Sequence, residues 1–204
     1  MSTELESHFS TPKRLGILGS MSFANPFTET ICNQLGRYLA DYSDLIVLTG
    51  GVAGIPEAVS RSLWQQRQTV ITGGTSVYHI QPKGFEPWDY GTNLTAGSTM
   101  EARRKILATL APVYLLLEGG HGAQQEATWA LQQGALLIPV GCTGGAAQFF
   151  FEQMQDLATQ SLKGAQLDAW QQLATYTGDA ETQARAIATL VQGAFATQGY
   201  PLDA

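Results

Sequence analysis

Three short runs in this sequence carry residue types that could seat an anion. The run Glu118-Gly119-Gly120-His121-Gly122-Ala123-Gln124-Gln125-Glu126 places glycines ahead of a helical segment and ends in a carboxylate. Thr49-Gly50-Gly51-Val52-Ala53-Gly54 follows another apolar segment, and Gly19-Ser20 closes a third. Glycine allows a ligand to come close to the main chain. The first N–H groups of a helix lack internal acceptors, and the helix dipole favours negative charge there. Turns of this kind converging on one crevice cradle a phosphate with backbone N–H groups alone. A glycine at a strand end also makes a plain tight turn, but three in the same topological position favour a ligand. Gly19, Ser20, Gly50, Gly51, Gly54, Gly119, Gly120, His121, Gly122 and Ala123 are therefore the candidate phosphate- and nucleotide-binding residues. A G-x-G-x-x-G fingerprint does not follow the first strand, and a Lys-Ser/Thr P-loop ending is missing, which disfavours a dinucleotide or triphosphate hydrolysis.

Two charged residues stand out near these turns. Arg103 shares an i, i+4, i+7 stripe with Leu107 and Leu110, which turns it inward. Its neighbours read as a solvated face, with Glu101 and Lys105 as an exposed i, i+4 pair. Glu126 reads as a first-turn residue of its helix, where an acid gains roughly 0.3–1 kcal/mol from the dipole.

The elements that must position these residues alternate in type. Apolar runs at 14–20, 44–48, 69–72, 113–117 and 135–140 read as strands. Helices are expected from Asn25-Pro26 to about Tyr42, over 55–67, over 99–110 and to about Gln133, with Gly134 as a stop. Residues 73–97 read as a long irregular stretch with room for one more short strand, and such a length inside a compact fold is usually functional. Pro139 suggests an edge or exit position for the last strand. The remainder, 146–198, is helical in character and interrupted near Gly164 and Gly178. This order implies an α/β fold, a doubly wound, mostly parallel sheet flanked by helices. In such sheets ligands bind beyond the carboxyl ends of the strands, where strand order reverses. We expect a disordered lead-in over 1–12 and a single domain with C-terminal helices over 13–204.

Composition narrows the partners. A net charge of −6 over 204 residues argues against a nucleic-acid partner held by phosphate neutralisation. It does not argue against a nucleotide or nucleotide-like small molecule. Cys32 and Cys142 read as buried hydrophobes, and His8, His79 and His121 lack metal-ligand spacing, so neither a metal nor a cofactor is expected. The polar start, with Glu4, Glu6 and Pro12, lacks signal-peptide character, and the apolar runs fall short of membrane-spanning length. A cytoplasmic protein without a membrane partner is the expectation.

Residues 14–141 resemble the Rossmann-like superfamily that includes the LOG (Lonely Guy, lysine-decarboxylase-like) proteins and the molybdenum cofactor carrier proteins. The family pattern is a G-G-G-x-x-G-x-M turn, an M-x-x-R helix and P-G-G-x-G-T-x-x-E. The matching runs are Thr49-Gly50-Gly51-Val52-Ala53-Gly54-Ile55-Pro56, Met100-Glu101-Ala102-Arg103, and Glu118 through Glu126. The resemblance implies that Arg103 and Glu126 are the catalytic pair of a phosphoribohydrolase. Such enzymes hydrolyse the N-glycosidic bond of a nucleoside 5′-monophosphate to free base and ribose 5-phosphate, as LOG does with cytokinin riboside 5′-monophosphate. Cleavage of that bond develops positive charge on the ribose, which a carboxylate such as Glu126 could stabilise. Arg103 could grip the phosphate or the Glu126 carboxylate. The resemblance also implies a homodimer. The alternative it carries is a non-catalytic nucleotide or molybdenum cofactor carrier, favoured by three departures: Glu118 replaces the pattern's proline, Ala123 its threonine and Thr49 its first glycine. Ala123 removes a phosphate donor, and Glu118 sets a carboxylate against the anion unless it points away.

Overall fold

A computed structural model of the chain describes residue 5, residues 7–70 and residues 76–203. Among the described residues six strands form one sheet in the order β4-β3-β2-β1-β5-β6, and every pairing is parallel. They are β1 (Arg14–Gly19), β2 (Ile46–Thr49), β3 (Val77–Gln81), β4 (Thr92–Thr95), β5 (Val113–Leu117) and β6 (Leu136–Val140). The connecting helices are α1 (Pro26–Ala40), α2 (Ile55–Val70), α3 (Met100–Leu107) and α4 (His121–Gln132), with α5 (Gly145–Ser161), α6 (Ala165–Gln172) and α7 (Ala180–Thr197) after the sheet. The doubly wound α/β expectation is met. Strand order reverses between β1 and β5, so the ligand crevice of this topology opens there, at the carboxyl edge.

The sheet is covered on both faces, and β5 shows how. Val113, Leu115 and Leu117 join the core under α1, α2 and α7, while Tyr114 and Leu116 join the core under α3, α4 and α5. An apolar residue at every position is what two covered faces demand. Tyr114 also anchors α3. Its ring lies over Gly16, where a Cβ would come within 2.2 Å of it. Its hydroxyl accepts the Ala111 N–H and donates to the Leu107 carbonyl at the end of α3. Pro139 sits on β6, an edge strand, as its missing N–H requires.

One strand falls elsewhere than expected. Thr69 and Val70 are the last residues of α2, and residues 71 and 72 lie outside the described residues. Arg67, which is buried, explains the longer helix: its guanidinium donates to the carbonyl of Ala40 at the end of α1 and to those of Tyr42 and Leu45 in the connection to β2. The third strand is β3, and both β3 and β4 lie inside the stretch expected to be irregular. Of the lead-in, residues 1–4 and 6 lie outside the described residues; Leu5 is buried and the Phe9 ring packs edge-on against Tyr78.

Candidate functional site

The crevice at the β1/β5 switch point is built from the residue types outward. Arg103 projects from the first turn of α3, which is capped by the Thr99 hydroxyl accepting the Ala102 N–H. Its guanidinium meets Glu126 of α4, Nη1 donating to Oε1 at 2.6 Å, with only 3% and 9% of the two side chains exposed. The Nε of Arg103 is buried and, among the described residues, has no hydrogen-bond partner. Gly50 makes room for this pair, since a Cβ there would stand 2.3 Å from Nη1. Gly122 does the same for a second cation: a Cβ would lie 2.5 Å from Nη2 of Arg104. Glu126 therefore faces two arginines. Burial pushes its carboxyl above the usual range, and the charges of Arg103 and Arg104 partly offset that. Together Gly19, Gly50, Met100, Arg103, Arg104, Gly122, Ala123 and Glu126 line one cavity of about 40 Å³.

Glu126 is the sixth residue of α4, not a first-turn residue, so the dipole argument for it lapses. What remains at the start of α4 is better suited to an anion. The first turn carries no acid, Gly120 receives no side-chain cap, and a Cβ on Gly120 would meet nothing within 4 Å. Among the described residues, no protein acceptor is assigned to the N–H groups of Gly120, His121, Gly122 and Ala123. His121 is exposed at this rim, and Ala123 is buried.

The turn ahead of α4 is held from three sides. Gly119 N–H donates to the Ser20 hydroxyl at 2.9 Å, and Glu118 N–H donates to the Thr143 hydroxyl at 2.8 Å. The first N–H groups of α5, from Ala146 and Ala147, donate to the carbonyls of Gly119 and Glu118. Glu118 holds φ at 48°, the one non-glycine residue with positive φ among the described residues, a conformation costing roughly 1–2 kcal/mol. Its side chain turns away from the α4 start. The carboxylate accepts the N–H groups of Ala24 and Asn25, at 3.0 and 3.1 Å, at the approach to α1.

The structure thus sorts the glycines. Gly19, Gly50, Gly122 and Ala123 reach the cavity with Arg103 and Glu126. Ser20 ties the β1 turn to the β5 turn, and its carbonyl accepts the Ile55 N–H of α2. Gly54 packs on that same carbonyl, where a Cβ would stand at 2.4 Å. Gly51 lies under the side chain of Gln81. Two contributors escaped sequence reasoning. Arg104 reads as part of an exposed charge run, whereas Glu101 and Lys105 alone form the expected surface pair at 2.7 Å. Thr49 is the other: its hydroxyl accepts the Gly51 N–H and contacts Nδ1 of buried His79 at 2.8 Å, and Nε2 of His79 contacts the Tyr90 carbonyl at 3.1 Å. A carbonyl only accepts, so Nε2 carries the proton and Thr49 donates to Nδ1.

A profile of the SLOG cluster4 family matches residues 12–170. The chain belongs to the SLOG cluster4 family. That bears out the resemblance to the Rossmann-like LOG superfamily. Among solved structures, this SLOG cluster4 protein is similar in fold to TM1055, a structural genomics target, at 22% identity and a TM-score of 0.60 over 87% of this chain and 99% of that one. The molybdenum cofactor carrier protein from Chlamydomonas reinhardtii matches at 20% identity and 0.57, over 87% of this chain and 98% of that one. DNA processing protein A from Helicobacter pylori, described with its single-stranded DNA binding mode, matches at 14% identity and 0.53, over 75% and 76% of the two chains. Comparison with curated proteins finds no match. No helix among the described residues is long and apolar enough to cross a membrane.

Proposed function

We propose that this SLOG cluster4 protein binds a nucleoside 5′-monophosphate and hydrolyses its N-glycosidic bond. The observation that carries the reading is the buried 2.6 Å pair of Arg103 and Glu126 beside an uncapped α4 start. The N–H groups of 120–123 and the Arg104 guanidinium receive the phosphate. A cavity of about 40 Å³ holds about one water molecule, so the ligand seats above it with the charged pair beneath the ribose. In the reaction, water adds its oxygen to the anomeric carbon, the bond to the base nitrogen breaks, and the departing nitrogen takes up a proton. Glu126 opposes the positive charge growing on the ribose and orients the water. Arg103 offsets part of the burial that disfavours the ionised form of Glu126. In line with the resemblance, the protein works as a cytoplasmic homodimer.

A second reading draws on Ala123, which offers no hydroxyl to a phosphate: a carrier that holds a nucleotide or molybdenum cofactor without chemistry. The C. reinhardtii carrier, similar in fold, lends it support. A panel of nucleoside 5′-monophosphates separates the two. Release of free base by the wild type, lost in Glu126→Ala with binding retained, is the expected result. Retained binding without turnover on the whole panel makes the protein a carrier.

A further inference from the structure

The cavity at the switch point has two unlike sides. One side is charged: Arg103, Arg104 and Glu126 are the polar side chains of its lining among the described residues. The other side is formed by Met21, Val52, Pro56 and Met100. None of these four side chains gives or takes a strong hydrogen bond. The polar groups behind them are already bonded within the protein. Gln81, which covers Gly51, donates its amide nitrogen to the carbonyls of Gly51 and Glu86. The Thr49 hydroxyl is held between the Gly51 N–H and His79.

Met21 stands apart on that side. It is 62% exposed, and of the large exposed apolar side chains among the described residues it alone lines the cavity. Its main chain is closely seated, since a Cβ on Gly54 would stand 2.5 Å from the Met21 carbonyl carbon. A flexible thioether on a seated backbone suits contact with a planar ring, and methionine adapts to rings of differing outline. Met21 comes after β1, Val52 and Pro56 after β2, and Gly122 and Ala123 after β5, on the far side of β1. A nucleotide with its phosphate at the α4 start and its ribose over Arg103 and Glu126 therefore sets its base on the β2 side, against Met21. We infer that Met21 is a specificity-determining residue: it packs on the face of the base, and the site reads the base by size and apolar contact rather than by the hydrogen-bonding pattern of its edge. The inference rests on the proposed reading of the α4 start as the phosphate site. The substrate class that follows is nucleoside 5′-monophosphates taken without regard to the donors and acceptors of the base.

The probes are the 5′-monophosphates of adenosine, guanosine, cytidine and uridine, and ribose 5-phosphate, which has no base. Each is titrated into the full chain, Met21→Ala and Met21→Leu, and affinity is read as Kd, or as KM for a nucleotide that is turned over. Adenine and guanine carry different donor and acceptor patterns on rings of one size, as do cytosine and uracil. Within each pair the affinities are expected to differ by less than about threefold, whereas a site built to bond the edge discriminates by about 10⁴. Met21→Ala is expected to weaken every nucleotide about three- to tenfold, with kcat kept and ribose 5-phosphate unchanged. Met21→Leu, which keeps the apolar bulk, should stay within about twofold of wild type. Thermal melts certify folding of both variants. A preference above about tenfold within either pair overturns the inference. So does a Met21→Ala protein that binds nucleotides as wild type does, or that loses ribose 5-phosphate to the same degree. Those results leave the α4 reading in place. A wild type that binds neither ribose 5-phosphate nor any nucleotide removes that reading, and the inference with it.

Discussion

Gly50→Ala tests the site through a residue with no chemistry of its own. The added Cβ would stand 2.3 Å from Arg103 Nη1, 2.8 Å from Cζ and 3.0 Å from Nη2. Ordinary contact needs roughly 3.4 Å or more, so the guanidinium must withdraw by about 1 Å. A free arginine tip would swing aside at little cost. This one is 3% exposed and tied to Glu126 at 2.6 Å, and the same withdrawal stretches that bond beyond hydrogen-bonding range. Breaking a buried pair outright costs about 3–5 kcal/mol; partial separation should cost about 2 kcal/mol. For a chain of this size that lowers Tm by roughly 4–8 °C. The measurement is a thermal melt of wild type, Gly50→Ala, Glu126→Gln and the double variant. The Gly50→Ala penalty should shrink by half or more once Glu126 has lost its charge. A Tm within about 1 °C of wild type, or an equal penalty in both backgrounds, refutes the idea that Gly50 exists to seat Arg103. The single variant should also lose base release more than about a hundredfold, because a shift of about 1 Å suffices to misplace reacting groups.

Two further outcomes concern the supports of the site. Burial pushes His79 down to about 4 from an ordinary 6.5, so between those values the unfolded chain takes up a proton that the folded one refuses. Stability should fall by about 3 kcal/mol as pH drops from 7 to 4, and urea denaturation across that range should show a slope that His79→Leu abolishes. Tyr114→Phe leaves the Ala111 N–H and the Leu107 carbonyl without their shared hydroxyl, and should cost about 1–3 kcal/mol in a denaturant titration.

The sheet was readable wherever burial alone decides. Val113–Leu117 is apolar throughout and was bounded to the residue, because both faces of β5 are covered. β3 was not readable. Its His79 and Gln81 look like loop residues until their partners are seen: Thr49 and Tyr90 for one, Gly51 and Glu86 for the other. The tail of α2 was misread for a related reason. Thr69 and Val70 have strand propensity, but Arg67 holds that end of the helix against three carbonyls some 22 to 27 residues away. At the site, the inward turn of Arg103 followed from spacing with Leu107 and Leu110, which is local. The direction of Glu118 did not, since Ala24 and Asn25 lie more than 90 residues from it. Arg104 likewise became visible only once α3 and α4 were packed together and Gly122 was seen to receive it.

The turn ahead of α4 is locked by Ser20 from one end of the chain and by Thr143, Ala146 and Ala147 from the other. Its bonds to Ser20 and Ala24 span 99 and 94 residues, so they form late, after costly loop closure. On the proposed reading of the α4 start as a phosphate site, a chain that ends before α5 during synthesis lacks the contacts that hold the cradle, and ligand affinity belongs to the finished fold. A ligand that binds only that state draws the population toward it, stabilising by RT ln(1 + [L]/Kd), so its cellular concentration would set how much of the protein survives proteolysis.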